Sequence, residues 1–186
     1  MDRRQRKTRQ AIFKAFTSLL LHKKCSAITV GEIIEKADVG RATFYSHFET
    51  KDFLLKELCK ELFCHVFDNM NGNGEGHSHI FNCDIKEDIF LHLFTHLEKN
   101  DNGISTLLMC ENNGLFLDYF KNELKKLIGC QQDVLEYARA RNIPESFWIN
   151  HVSGCFVETC KWWFSDKQGC SPEEIHRYFV CAMGIG

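Results

Sequence analysis

Residues 41–48 combine polar side chains with two phenylalanines, at a spacing that exposes one polar face of a short helix. Phe44 and Phe48 are four residues apart, so they project from the same side of a helix, where we expect them to be buried. The other positions offer a guanidinium, two hydroxyls, a phenol and an imidazole. Such groups donate to phosphate oxygens and base edges, and a guanidinium fits the acceptors of guanine. The residues expected at this exposed face are Arg41, Ala42, Thr43, Tyr45, Ser46 and His47.

A second short helix just before this segment is expected to position it. Thr29 has the character of a helix N-cap, and Glu32 stands at the matching capping-box position. The helix should then cover 30–37. Residues 38–40 form a tight turn, in which Gly40 can supply a left-handed conformation. Two short helices joined by such a turn are typical of the helix-turn-helix, whose second helix enters the DNA major groove.

The first helix, expected over 3–22, begins with a cluster of basic residues. Cations are unfavourable at a helix N-terminus, so a phosphate backbone outside the helix is the partner that we predict for them. The alternative is a frayed, solvated tail. The cluster consists of Arg3, Arg4, Arg6, Lys7 and Arg9.

The charge of the chain is divided unevenly along its length. Residues 1–60 carry 13 Lys/Arg against 7 Asp/Glu, a net charge of +6, whereas residues 61–186 carry 10 against 18, a net charge of −8. A basic head on an acidic body suits a protein that meets a polyanion with one end. A chance division of charge is the alternative.

The composition favours an all-α protein. Two Pro in 186 residues and few β-branched runs predict about nine helices, divided between an N-terminal three-helix unit (1–50) and a C-terminal helical bundle (51–186). No apolar run reaches the roughly 18 residues of a membrane span. The basic, polar N-terminus also lacks the apolar segment of a secretory signal, so we expect a cytoplasmic protein.

The sequence gives little support for an enzymatic activity. It contains no nucleophile–base–acid pattern, phosphate loop or H-E-x-x-H motif, and its ten Cys form no C-x-x-C pair. We expect most of these thiols to be buried as small hydrophobic groups, with a redox sensor as the alternative. No enzyme activity and no cofactor are predicted.

The helix-turn-helix region resembles the TetR family of transcriptional regulators. The pattern I-T-V-x-x-I-x-x-x-A-x-V-x-x-x-T-F-Y-x-H-F-x-x-K-x-x-L-L begins at Ile28, and the likeness covers about residues 8–60. The resemblance implies a homodimer, usually a repressor, that binds a palindromic operator on double-stranded DNA and is released by an effector. It also implies that residues 1–50 are the DNA-binding domain and that the bundle at 51–186 serves effector binding and dimerisation. An activator or co-regulator of the same fold, controlled by a protein partner, is the alternative.

The resemblance also assigns roles by position. Arg41, Ala42 and Thr43 match base-reading positions of the family, although many members have Gly where this chain has Ala42. The positions that match phosphate contacts are Thr29, Tyr45, His47 and Lys51.

The C-terminal part offers weaker signals. The segment from Gly154 to Glu174 resembles a short C-terminal domain of a subset of TetR-like proteins, often from Firmicutes, which implies dimerisation through the last two helices. Apolar residues at helical spacing in the last two helices, such as Phe147, fit a dimer interface and a core face equally well.

Aromatic residues in this part are candidates for a pocket that binds an apolar or aromatic small molecule, although a plain core explains them too. The six candidates are Phe67, Phe94, Phe116, Tyr119, Trp148 and His151. His92 and His96 have a chelating spacing, but an unrelated surface pair is the favoured interpretation, and no metal site is predicted.

Overall fold

The protein is all-helical in the computed structural model. The structure describes residues 3–20, 22–70, 88–99, 104–109, 114–165 and 169–185, with the backbone alone at residues 62 and 64–70. Across these ranges it contains ten α-helices and one 3-10 helix, and no strand. The predicted fold class is therefore confirmed. The ten α-helices are close to the expected number of about nine, and the shortest of those in the bundle, α6, has six residues.

Three helices form the N-terminal domain. They are α1 (Arg3–Leu20), α2 (Val30–Ala37) and α3 (Arg41–His47), with a 3-10 helix at Cys25–Ala27 before α2. Helix α4 (Lys51–Met70) continues from this domain into the C-terminal bundle. The bundle also contains α5 (Ile89–Lys99), α6 (Ile104–Met109), α7 (Gly114–Gly129), α8 (Gln132–Arg139), α9 (Glu145–Ser165) and α10 (Pro172–Met183).

A small aromatic core holds α3 against α1. Phe44 and Phe48 are fully buried, and their ring centroids are 5.9 Å apart. Phe13 of α1 meets Phe48 edge-on at 5.3 Å. Burying such side chains contributes about 1.5–3 kcal/mol each, so this contact fixes the orientation of α3.

A larger aromatic cluster forms the centre of the bundle. Phe94 of α5 stacks on Phe156 of α9 at 4.7 Å, and the edges of Trp163 and Phe179 lie within 6.0 Å of it. Helix α4 packs against α7, and α6 contacts both α9 and α1. The bundle therefore touches the N-terminal domain through α6 as well as through α4.

The turn between α2 and α3 differs from the expectation in one detail. Asp38, not Gly40, adopts the left-handed conformation, at φ 52° and ψ 50°, whereas Gly40 is extended at φ −72°. Asp38 directly follows the last residue of α2, where the chain must reverse, and a short polar side chain tolerates this conformation. The amide of Val39 then donates to the carbonyl of Ile34 at 3.0 Å and closes the turn.

Among the described helices, none combines the length and apolar character that crossing a membrane requires.

Candidate nucleic-acid interface

The exposed face predicted for α3 is present in the structure. Arg41, Ala42, Thr43 and Ser46 are exposed, and Tyr45 keeps 47% of its surface accessible. Ser46 donates its hydroxyl proton to the carbonyl of Thr43 at 2.8 Å, so its oxygen remains an acceptor only. The hydrogen-bond donors that this face offers to DNA are therefore the guanidinium of Arg41, the hydroxyl of Thr43 and the phenol of Tyr45.

His47 was expected on the same exposed face but is half-buried. Its ring lies beside Phe48, with centroids 6.2 Å apart. Burial, together with the positive charge of Arg9, lowers the pKa of His47 below its ordinary value. The imidazole is therefore neutral at pH 7 in the free protein.

The N-terminus of α2 is closed by the predicted capping box. The Thr29 hydroxyl accepts from the Glu32 amide at 3.2 Å, and the Glu32 carboxylate accepts from the Thr29 amide at 2.9 Å. Lys23 also contacts that carboxylate. Hydrogen bonds from Lys23 first, and then from Thr29, lower the pKa of Glu32 to about 2. A phosphate approaching Thr29 therefore meets a hydroxyl already engaged with a carboxylate.

Lys51 has partners within the protein. Its ammonium donates to the carbonyls of Cys25 and of Ile28, the latter at 2.8 Å. These bonds tie the start of α4 to the segment that carries Thr29. The third ammonium proton is not needed for them, and a phosphate contact by Lys51 remains a prediction.

Arg9 does not belong to the basic surface, contrary to the expectation. It is 8% exposed, and its Nη2 donates to Glu61 at 2.9 Å and to Glu57 at 3.3 Å. The guanidinium also lies 4.8 Å from the centroid of the Phe48 ring. The sequence could not reveal this, because both carboxylates lie about fifty positions away on α4. The exposed cations in the basic cluster at the start of α1 are Arg3, Arg4 and Lys7.

The predicted pocket residues lie in different parts of the bundle. Phe94 belongs to the central cluster, Phe116 packs on Phe120 at 5.8 Å, and Trp148 stacks on Tyr137 at 4.8 Å. Among the described rings, no contact joins these three groups. Tyr119 is half-buried, His151 is exposed beside Trp148 and Phe147, and the side chain of Phe67 lies outside the described residues.

The histidine pair of α5 is also placed differently from the expectation. His92 and His96 are 0% and 3% exposed, so they are not a surface pair. Their burial follows from the packing of α5 between other helices of the bundle, which covers more than one of its faces.

Sequence reasoning missed Trp162, an exposed aromatic residue of α9. Its neighbour Trp163 is buried, and adjacent residues on a helix point about 100° apart, so only one of the two can face the core. The adjacent pair Trp162–Trp163 was the feature of the sequence that could have indicated one exposed tryptophan. Trp162, Phe147 of the same helix and Tyr178 of α10 are 48%, 61% and 45% exposed.

Comparison with known families agrees with this geometry. The family model described as "Bacterial regulatory proteins, tetR family" matches residues 12–58, and that described as "Transcriptional regulator C-terminal region" matches residues 86–181. Together they cover the helix-turn-helix and most of the bundle.

Two solved structures and a curated relative are also similar to this chain. A TetR transcriptional regulator from Streptococcus agalactiae is 36% identical, covers 98% of this chain and 96% of its own, and superposes with a TM-score of 0.67. NalD of Pseudomonas aeruginosa, at 20% identity and a TM-score of 0.57 over 97% of this chain and 96% of its own, shares the fold. YxbF of Bacillus subtilis, an uncharacterized HTH-type transcriptional regulator, is 37% identical over 71 residues, which are 38% of this chain and 19% of that protein. The chain therefore belongs to the TetR family of bacterial transcriptional regulators.

Proposed function

We propose that the protein is a homodimeric repressor that binds a palindromic operator through α3 and releases it when a small molecule occupies the C-terminal bundle. The observation that carries the DNA-binding part is the polar face of α3, exposed on a helix that Phe44 and Phe48 anchor from behind. An exposed face of this kind, on a rigidly held helix, is what direct reading of bases requires.

The length of α3 suits the groove. Seven residues span about 10 Å, and residues near the start of a recognition helix are those that reach base edges. Arg41, Ala42 and Thr43 occupy that first turn. Arg41 is suited to a guanine, and the methyl group of Ala42 or Thr43 to a thymine methyl.

Phosphate contacts are expected on both sides of this helix. Tyr45 on α3 and the exposed cations Arg3, Arg4 and Lys7 on α1 supply donors that do not depend on base sequence. His47 can join them by taking up a proton next to a phosphate, which raises its lowered pKa again.

The outer surface of α9 and α10 supports dimerisation. Phe147 and Trp162 on α9 and Tyr178 on α10 are exposed, and aromatic residues are enriched at protein interfaces. In the middle of α9, a Cβ added to Gly154 would meet no atom of the chain within 4 Å. A helix can therefore approach this point closely, as the four-helix dimer interface proposed for the last two helices requires.

Release by an effector would act through the helices that connect the bundle to the N-terminal domain. Helices α4 and α6 both connect the bundle to α1 or its domain, so a ligand that shifts either helix can reorient α3. The half-buried Tyr119, three residues after the buried Phe116 on α7, is a candidate contact for an apolar or aromatic molecule. NalD, which shares this fold, is described as the secondary repressor of a multidrug efflux pump.

The test is binding to the promoter region of the protein's own gene, measured by fluorescence anisotropy at low salt. We expect Arg41→Ala to weaken binding and to relax the preference for one base pair, at a cost of about 1–3 kcal/mol. Lys126→Ala is the matched control, because Lys126 is exposed on α7, away from the N-terminal domain. Equal affinities of wild type and Arg41→Ala for every probe would contradict the assignment of α3 as the reading helix.

A further inference from the structure

Lys51, the first residue of α4, directs its ammonium at the backbone of an earlier segment. The side chain is half-buried, and its Nζ donates to the carbonyl of Ile28 at 2.8 Å and to the carbonyl of Cys25. Hydrogen bonds from a charged donor are among the stronger ones in proteins, so these two oxygens hold the ammonium in place. Lys51 therefore links the start of α4 to residues 25–28.

The carbonyl of Ile28 depends on this donor. Ile28 is 2% exposed, and in the described ranges no donor other than the Lys51 ammonium reaches its carbonyl. The carbonyl of Cys25 also accepts from the amide of Ile28, at 3.2 Å, which closes the 3-10 helix. Removing the ammonium would leave a buried acceptor without a partner, and such a loss is unfavourable enough to loosen the segment.

These carbonyls lie directly before the start of α2. Ile28 is followed by Thr29, the N-cap of α2, which matches a phosphate contact of the TetR family. The Thr29 hydroxyl is already engaged with Glu32. The amides of Val30 and Gly31 have no acceptor within the described part of the chain, so they are the donors that this helix end can offer to a phosphate. Their position follows that of the Ile28 carbonyl, only two or three residues earlier.

We propose that Lys51 is a positioning residue for DNA binding, which fixes the start of α2 through the carbonyls of Cys25 and Ile28 instead of contacting a phosphate itself. The inference rests on the proposed function. A cation that contacts a phosphate releases a counterion and adds to the salt dependence of binding, whereas a cation that acts through neutral amides does not. The two roles of Lys51 therefore differ in the salt slope, and the positioning role also has a signature in the free protein.

The first experiment measures amide hydrogen exchange in the full-length protein without DNA, for wild type and for Lys51→Met, which keeps the aliphatic stem. The amide of Ile28 should exchange faster in the variant by about tenfold or more, the effect of losing one hydrogen bond to a charged group. The amide of Phe44, which donates to Gly40 at the start of α3, should exchange as in wild type. Lys56→Met is the matched control, because Lys56 is exposed on the same helix, and it should change neither amide. Equal exchange of the Ile28 amide in wild type and Lys51→Met would overturn the proposal.

The second experiment measures the affinity of the same proteins for the promoter-region probe between about 50 and 200 mM salt. Lys51→Met should bind about tenfold more weakly than wild type with an unchanged salt slope, whereas Lys7→Met should make the slope shallower by about one. Adding Thr29→Ala to Lys51→Met should weaken binding by less than the product of the two separate effects, because both changes act on the same helix end. A slope reduced by about one in Lys51→Met would identify Lys51 as a phosphate contact and overturn the proposal. Absence of binding by wild type would contradict the proposed function instead, and hydrogen exchange in the free protein would still decide whether Lys51 fixes this segment.

A third measurement uses the unaltered chain, in case Lys51→Met does not fold. The NMR scalar coupling through the hydrogen bond between Nζ of Lys51 and the carbonyl carbon of Ile28 should be present in the free protein and should persist when the probe is bound. Loss of this coupling on DNA binding would mean that the ammonium leaves the carbonyl, and would contradict the positioning role.

Discussion

Replacing Arg9 by Met tests how the DNA-binding domain is joined to the long helix that leads into the bundle. Arg9 lies between Glu57 and Glu61, and the three side chains are only 10%, 16% and 19% exposed. Met preserves most of the aliphatic stem against Phe13 and Phe48 but removes the cation. Glu61 and Glu57 of α4 then lose their shared guanidinium, and Glu57 keeps only the exposed ammonium of Lys60, at 3.6 Å.

The expected loss of stability follows from this geometry. Removing one partner of a fully buried ion pair costs about 3–5 kcal/mol, because the other charge stays buried. Since both carboxylates keep some contact with water, we expect a smaller loss than in a fully buried pair, about 2–3 kcal/mol. Loss of the cation–π contacts adds about 0.5–1 kcal/mol. The sum is about 3 kcal/mol, a large share of the roughly 5–15 kcal/mol that stabilises a domain.

The assay is urea unfolding followed by far-ultraviolet circular dichroism, at one protein concentration because the proposed dimerisation would add to stability. Lys7→Met, an exposed change on the same helix, is the control and should stay within about 0.5 kcal/mol of wild type. Adding Glu57→Gln and Glu61→Gln to Arg9→Met should restore at least half of the loss. A loss in Arg9→Met no larger than in the control, or no recovery in the triple variant, would refute the reasoning.

Three further predictions follow from the described contacts. Thr29→Ala should lower the free energy of unfolding by about 1 kcal/mol in the same assay, because α2 loses its cap; an unchanged urea midpoint would contradict this. Trp162→Glu should convert the proposed dimer into a monomer in light scattering, since a charge would be buried in the interface; a variant that stays dimeric would count against the α9–α10 interface. The folded-state pKa of His47 is lowered from 6.5, so its contribution to stability is complete above that pH and is lost as the pH falls through the window below it. The free energy of unfolding of His47→Gln should therefore decrease less steeply with falling pH than that of wild type. Parallel plots of this free energy against pH for the two proteins would exclude the contribution.

The sequence predicted helices α2 and α3 well because their signals are local. The four-residue spacing of Phe44 and Phe48 places both rings inside, and Thr29 with Glu32 forms its cap within a single turn. Such patterns depend on helical geometry alone. The exposed face of α3 follows from them without knowledge of the rest of the chain.

Features that depend on distant partners were not predictable in this way. Arg9 turns inward because of carboxylates on α4, and the ammonium of Lys51 is held by carbonyls more than twenty residues before it. His92 and His96 are buried because of how α5 packs in the bundle, which their spacing could not show. Aromatic residues at helical spacing look alike in a core and in a pocket, so the sequence could not show that the rings of Phe94 and Phe116 would pack on different partners within one buried cluster.

The central claim is that α3, together with the cations of α1, binds double-stranded DNA. The most direct measurement is the affinity of the full-length protein for a probe from its own promoter region, over a series from about 50 to 200 mM salt. We predict binding that weakens steeply as salt rises, because phosphate contacts release counterions. The slope should become shallower by about one for each exposed cation removed, as in Lys7→Ala. Absence of binding at the lowest salt, or an affinity independent of salt, would contradict the account.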